Sequence, residues 1–246
     1  MEDGKKSAAN EKTEREIQTM YKPDIKLTKT GVPVLSKKEI DMIGEKLVGE
    51  FAPQALVTPQ EIDIDLFVQD YLGMEQDFQY LSHCGMYLGM TVFEDTDKIP
   101  VYDPQNHRAE YISAKAHTVI IDRMLLDKGQ EQRYRFTMGH EAGHEFLHKK
   151  YFSHVPMVRC RVDYGKANTK PSAPWTDHDW MEWQANELAA AVLMPMSMVH
   201  AVAGEVKKSG VEEHLINYTM VGQVADVFQV SLEAAGYRLM QLGYMT

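Results

Sequence analysis

Arg135-Phe136-Thr137-Met138-Gly139-His140-Glu141-Ala142-Gly143-His144-Glu145-Phe146-Leu147-His148 is the stretch from which both fold and chemistry of this chain can be read. On a helix, residues four apart lie on nearly the same face, so His140 and His144 aim their imidazoles at one point. Glu141 stands about a quarter-turn away, close enough to work on a water at that point without ligating there. Two imidazoles holding a metal, with a carboxylate acting on its water, is the donor pattern of a catalytic zinc (Zn2+) site. Gly143 in mid-helix costs about 1 kcal/mol against Ala, which implies that another backbone passes close to it.

The composition around this stretch bounds what it can serve. The chain has 246 residues, 44% hydrophobic and 25% charged, enough for one sizeable core in an ordinary globular domain. No run of 18 apolar residues is present, so no membrane span is expected. Met1 to Met20 is polar and does not resemble a secretory signal. Cys84 and Cys160 are the two cysteines, and their sparseness points to free thiols in a cytoplasmic setting. A net charge of −10 argues against general affinity for nucleic acid or anionic lipid.

Working outward toward the N-terminus, residues 1–35 hold seven Lys/Arg and six Asp/Glu and read as a polar, unstructured leader. Ser36, three residues before Glu39, is a helix N-cap, and Ile40, Ile43, Leu47, Val48 and Phe51 follow at helical spacing. Pro53 and Pro59 interrupt, and Glu61 to Tyr71 reads as a second helix through Ile62, Leu66 and Phe67. Gly73 to Asp95 is read as β structure, with strands at Phe78 to Leu81 and Met90 to Phe93. Thr118-Val119-Ile120-Ile121 is the most β-branched run and reads as a further strand. A small mixed or antiparallel sheet over the histidine helix, in an α+β zincin-like domain, is therefore expected.

Toward the C-terminus, Tyr151 to Trp175 reads as a long irregular segment containing a short strand at 157–162. Thr176 or Asp177 caps a helix that ends before Pro195. Further helices are expected at Met196 to Lys208, Asn217 to Phe228 and Ser231 to Leu242. The expected organisation is a leader over 1–35, a zincin-like domain over 36–204 and a C-terminal helical subdomain over 205–246 packed on it.

A catalytic zinc needs a third protein ligand. A histidine six residues past His144 would fall at Lys150, so that variant is excluded. His148 lies four past His144, but each such step rotates about 40° and climbs about 6 Å, so three histidines on one helix do not converge. Glu182-Trp183-Gln184-Ala185-Asn186 offers a glutamate from a second helix. Glu182 shares a face with Asn186, which can accept a hydrogen bond from the far nitrogen of a ligating histidine. Small Ala185 lets the two helices approach. Glu187 competes, though it points about 180° from Glu182 on the wheel.

These two segments, with Glu182 to Pro195 and the C-terminal Val224 to Leu239, resemble the ImmA/IrrE family of bacterial zinc metallopeptidases over about residues 36 to 246. The resemblance implies zinc ligands at His140, His144 and Glu182 and a catalytic glutamate at Glu141. It also implies a protein substrate, a helix-turn-helix transcriptional repressor whose cleavage relieves repression. Two positions depart from the family pattern: Leu188 stands where an aromatic is common and Gln184 where an acidic residue is common.

The expected chemistry is peptide hydrolysis with Glu141 as general base. Thr118 to Ile121 and Met90 to Phe93 are the candidate sheet edges for an added substrate strand. Tyr151, His154, Tyr164 and His178 are candidate oxyanion stabilisers. His117, His178 and His200 otherwise read as ordinary histidines, and Trp175, Trp180 and Trp183 as packing. Two other classes stand beside the protease: a metal-binding regulator that holds a partner without cutting it, and a DNA-binding protein. Val224 to Leu239 has a helix-turn-helix outline with a turn near Gln229 and Ser231 capping its second helix. That helix carries Arg238 as its lone cation, and residues 205–246 hold three Lys/Arg against five Asp/Glu. A DNA-reading helix needs basic and amide side chains at its start, so nucleic acid is not expected as a partner.

Overall fold

The computed structural model describes residues 20–152, 157–160 and 174–245. In chain order the main elements are α1 (Lys37–Phe51), α2 (Ile64–Leu66, continued by a π-helical turn Phe67–Tyr71), β1 (Glu75–Gln79), β2 (Gly89–Val92), β3 (Thr96–Asp103), β4 (Arg108–Ala114), β5 (Thr118–Asp122), α3 (Glu131–His148), β6 (Met157–Cys160), α4 (Asp177–Leu193), α5 (Met196–Lys208), α6 (Ile216–Phe228) and α7 (Leu232–Gln241). The architecture is α+β, with a small mixed sheet against helices and further helices toward the C-terminus.

The expected caps are in place. Ser36 and Glu39 form a capping box at the start of α1, with the Ser36 backbone N–H donating to Glu39 Oε2 at 2.7 Å. Thr176 and Asp179 form another at the start of α4, so in both helices the N–H groups at the cap and three residues on are satisfied. Gln229, left-handed at φ 53°, ends α6, and Ser231 caps α7. Part of the stretch expected as an unstructured leader, residues 20–35, is among the described residues. Residues 20–35 lie along the helices: Leu27 bridges Pro33, Val32 is buried, and the Tyr21 N–H donates to Glu50 Oε2 at 2.8 Å. Residues 1–19 lie outside the described residues. The second helix starts later than expected, because Asp63 supplies its N-cap; Ile64, Phe67 and Val68 face the core while Leu66 is exposed.

The main sheet has the order β1-β5-β2-β6, with β1 parallel to β5 and the other pairs antiparallel. This corrects both candidate edges. Thr118 to Ile121 is paired on both sides, and Met90 to Val92 lies between β5 and β6. The continuous apolar run that marks a strand as strongly β also marks it as covered on all sides.

The β3–β4 hairpin was not legible as strands. It covers the sheet face opposite α3, where Ile99 and Val101 pack with Leu81, Met90, Val92 and Ile120. Val119 and Ile121, alternating with Ile120, point instead into the helical core. The same alternation in β2 turns Met90 and Val92 toward the hairpin, leaving Gly89 and Thr91 facing α3.

On the helical side, α4 runs between α3 and α1 through a seam of small residues. A Cβ on Gly143 would stand 3.0 Å from the Ala185 carbonyl oxygen and 3.1 Å from its Cα, which is the close backbone passage that Gly143 implies. A Cβ on Gly44 of α1 would come within 2.6 Å of Ala191 Cβ. One apolar core continues from Ile40 and Leu47 through Leu188 and Val192 to Val224, Phe228 and Leu239, so α6 and α7 share it with the rest. Among the described residues no single helix is long and apolar enough to cross a membrane.

Candidate metal centre

α3 presents His140 and His144 one turn apart on its buried face, with their Nε2 atoms 3.1 Å from each other. α4, held close by the Gly143–Ala185 contact, brings Glu182 across to them. Its Oε2 lies 3.5 Å from His140 Nε2 and its Oε1 3.4 Å from His144 Nε2. Ligand atoms about 2.0–2.2 Å from a tetrahedral zinc are separated from one another by about 3.4 Å. The three edges of this triangle match that spacing, and two imidazoles with one carboxylate suit zinc while leaving a position for water. The residues therefore fit the expected metal. Glu187 goes elsewhere: it turns toward the C-terminal helix, where Gln241 Nε2 donates to its Oε1 at 2.8 Å.

The electrostatics follow from burial of three mutually facing groups. Burial and the neighbouring His140 charge push the His144 imidazole down to about 4, although the facing Glu182 carboxylate works in the opposite direction. Burial also acts to lower His140, but hydrogen bonding to Glu182 and the charges of Glu182 and Glu141 outweigh it and leave its pKa raised. Burial acts to raise Glu182, yet the two imidazoles that face it hold its carboxyl well below the usual carboxylate range. The triangle is thus a pre-paired anionic and imidazole set, with the carboxylate ionised throughout the neutral range.

The hydrogen bonds behind the imidazoles orient them. Asn186 Oδ1 lies 2.9 Å from His140 Nδ1, and because that oxygen can only accept, the ring N–H donates to it. His148, set aside as a ligand, does not face the triangle: its Nδ1 lies 2.9 Å from His144 Nδ1 and its Nε2 lies 2.9 Å from Gln184 Oε1. Gln184 Nε2 in turn donates to the Pro33 carbonyl at 2.7 Å.

Glu141 is fully buried, and strand β2 holds it. Thr91 Oγ1 donates to Glu141 Oε2 at 2.7 Å and also lies 3.1 Å from the Glu141 carbonyl. A Cβ on Gly89 would come within 2.4 Å of Glu141 Oε1, so glycine there makes room for the carboxylate. Gly89 and Thr91 went unnoticed in the sequence. The one available signal was two small residues at alternate positions of an otherwise apolar strand.

Among the oxyanion candidates in the described residues, His178 lies beside the triangle, with Nε2 3.9 Å from Glu182 Oε1 and its side chain 65% exposed. Tyr151 instead packs edge-on against Phe152, beside a cluster of Val32, Phe93 and Met181. His154 and Tyr164 lie outside the described residues. His117 is a partly exposed histidine paired with Glu145 at 2.7 Å, and His200 meets the Tyr244 hydroxyl at 2.6 Å. Trp175, Trp180 and Trp183 pack on one another, with ring centroids 4.5–6.1 Å apart.

An α+β domain whose buried helix pair closes two imidazoles and a carboxylate on one point is of metallopeptidase type. Residues 86–240 match the Peptidase_M78 family model, described as the IrrE N-terminal-like domain, and the chain belongs to that family. No curated protein matches the chain.

Proposed function

We propose that this protein is a zinc-dependent endopeptidase that holds its metal through His140, His144 and Glu182 and uses Glu141 as general base. The observation that supports this reading is the ligand-atom triangle of 3.1, 3.4 and 3.5 Å beside a buried glutamate. When bound, zinc supplies a Lewis acid that polarises the scissile carbonyl and lowers the pKa of water. Glu141 takes the proton of the attacking water and returns it to the departing amine. Thr91 fixes the Glu141 carboxylate from the sheet side, and Asn186 fixes the His140 ring from behind. The site takes an extended protein segment as substrate, and a helix-turn-helix transcriptional repressor is the class that the family resemblance favours. The setting we propose is cytoplasmic, with neither a membrane nor nucleic acid as partner. Against DNA reading stands Arg238, the lone cation of α7, which is buried with NH1 2.6 Å from Asp41 Oδ1.

The test is incubation of the zinc-loaded chain with a helix-turn-helix repressor encoded beside its own gene, with and without a chelator. Cleavage that disappears with chelator, and with Glu141→Gln while zinc is retained, is expected. An intact repressor, or turnover unchanged by Glu141→Gln, rejects the proposal.

A further inference from the structure

A chain of buried hydrogen bonds leads from the N-terminal segment to one of the proposed ligands, and its direction is fixed at the far end. The Pro33 carbonyl can only accept, so the Gln184 group facing it at 2.7 Å is the amide NH2. That leaves the Gln184 oxygen facing His148 Nε2 at 2.9 Å, and an oxygen can only accept, so His148 carries its proton on Nε2. The other nitrogen of a neutral imidazole is then a bare acceptor. His148 Nδ1 lies 2.9 Å from His144 Nδ1, so His144 must carry its proton on Nδ1 and present a bare Nε2. That Nε2 is the atom 3.1 Å from His140 Nε2 and 3.4 Å from Glu182 Oε1. Every link is inside the protein: Gln184 is 1% exposed and His144 and His148 are fully buried. Water therefore cannot substitute for a missing partner at small cost.

We infer that Gln184 and His148 are positioning residues that fix the tautomer of His144, and that the segment ending at Pro33, outside the span of the family match, is the anchor of this chain of bonds. The inference rests on the zinc-site reading above. Neither residue touches the triangle's ligand atoms; each acts through the next. His140 is served separately by Asn186, also on α4, so the two ligating imidazoles have separate supports. Residues behind a metal-bound histidine are commonly worth roughly 10–100-fold in metal affinity.

The experiment compares Gln184→Met with Gln184→Glu in the full chain. Methionine matches the volume of glutamine but accepts no strong hydrogen bond. Glutamate keeps an oxygen toward His148 Nε2 and, protonated, can still donate to Pro33. Zinc affinity is measured by competition with a chromophoric chelator, and ring protonation by long-range 1H–15N correlation spectra of the zinc-loaded protein. The expected result is a roughly 10–100-fold loss of affinity in Gln184→Met, with Gln184→Glu within a few-fold of the unsubstituted chain. The spectra are expected to show His148 protonated on Nε2, and His140 and His144 protonated on Nδ1. Equal affinities in the two variants, a greater loss in Gln184→Glu, or a His148 proton on Nδ1 overturns the inference while leaving the zinc site standing. Failure of the unsubstituted chain to take up zinc overturns both.

Discussion

The seam between α3 and α4 makes Gly143→Ala a sharp test of how the site is built. Alanine in a helix interior is favoured over glycine by about 1 kcal/mol, so on propensity alone the substitution stabilises. Here the new methyl would stand 3.0 Å from the Ala185 oxygen and 3.1 Å from its Cα. Ordinary van der Waals contact begins at 3.4 Å, so α4 must retreat by about 0.4 Å. Both obstacles are backbone, and no rotamer change relieves them. Overpacking of this kind costs roughly 1–3 kcal/mol, which leaves a net loss of about 0–2 kcal/mol after the propensity gain. The larger effect is on metal binding. Glu182 rides on α4 one turn before Ala185, and a shift of about 0.4 Å is twice the roughly 0.2 Å tolerance of a ligand distance. Zinc affinity should fall about tenfold, equivalent to about 1.4 kcal/mol. Gly222→Ala in α6 is the control, since its Cβ meets nothing within 4 Å; it should stabilise by up to about 1 kcal/mol and leave zinc alone. Urea unfolding of the chelator-stripped proteins and chelator competition read the two quantities. If Gly143→Ala is as stabilising as Gly222→Ala and binds zinc as tightly as the unsubstituted chain, the seam does not position Glu182.

Arg238→Met should destabilise by about 3–5 kcal/mol, because it strands the buried Asp41 carboxylate. At roughly 2–4 °C per kcal/mol for this size, calorimetry should show Tm lowered by about 10 °C. The double change with Asp41→Leu should recover most of it, and failure to recover would remove the ion-pair explanation. Thr91→Val should keep zinc but slow hydrolysis of an identified substrate by about tenfold, since Glu141 loses a hydrogen bond to a charged group. Loss of zinc in that variant would instead make Thr91 a support of the triangle. In chelator-stripped protein, stability should decline as pH falls from about 6.5 toward about 4. His144 is pushed down to about 4 by burial, and burial holds His148 well below its ordinary value as well. The unfolded chain therefore binds protons that the folded one refuses, at up to about 1.4 kcal/mol per pH unit for each group. His140, raised rather than lowered, contributes no slope in that window. A melting temperature flat between pH 6.5 and 4.5 would contradict the burial of this pair.

Where a feature obeys one local rule, the sequence reveals it. His140 and His144 need only helical periodicity to share a target, and Ser36 and Thr176 need only a short reach to cap their helices. Glu182 over Glu187 follows from the wheel once a second helix is granted, and Gly143 announces a close neighbour by its cost. What stayed hidden depends on partners distant along the chain. Thr118 to Ile121 looks like any apolar strand, and only the pairing with β1 and β2 shows that it is interior. The β3–β4 hairpin carries Pro100, Asp97, Lys98 and Glu110, which mask the alternation of Ile99 and Val101. Thr91 is unremarkable until β2 lies against α3, and His148 looks like a surplus histidine until Gln184 and Pro33 meet it across the fold.

Arg238 shows how a familiar outline can be put to a different use. The two last helices have the sequence outline of a reader of nucleic acid, yet the one positive side chain of the second is turned inward, with Nε donating to the Met194 carbonyl at 3.1 Å where α4 ends. It works as a tie-bar, clamping the tail of the chain to the far end of the helix that carries Glu182. Trimming the C-terminus would therefore loosen the metal-bearing scaffold itself, and the last helices are better regarded as its foundation than as an accessory.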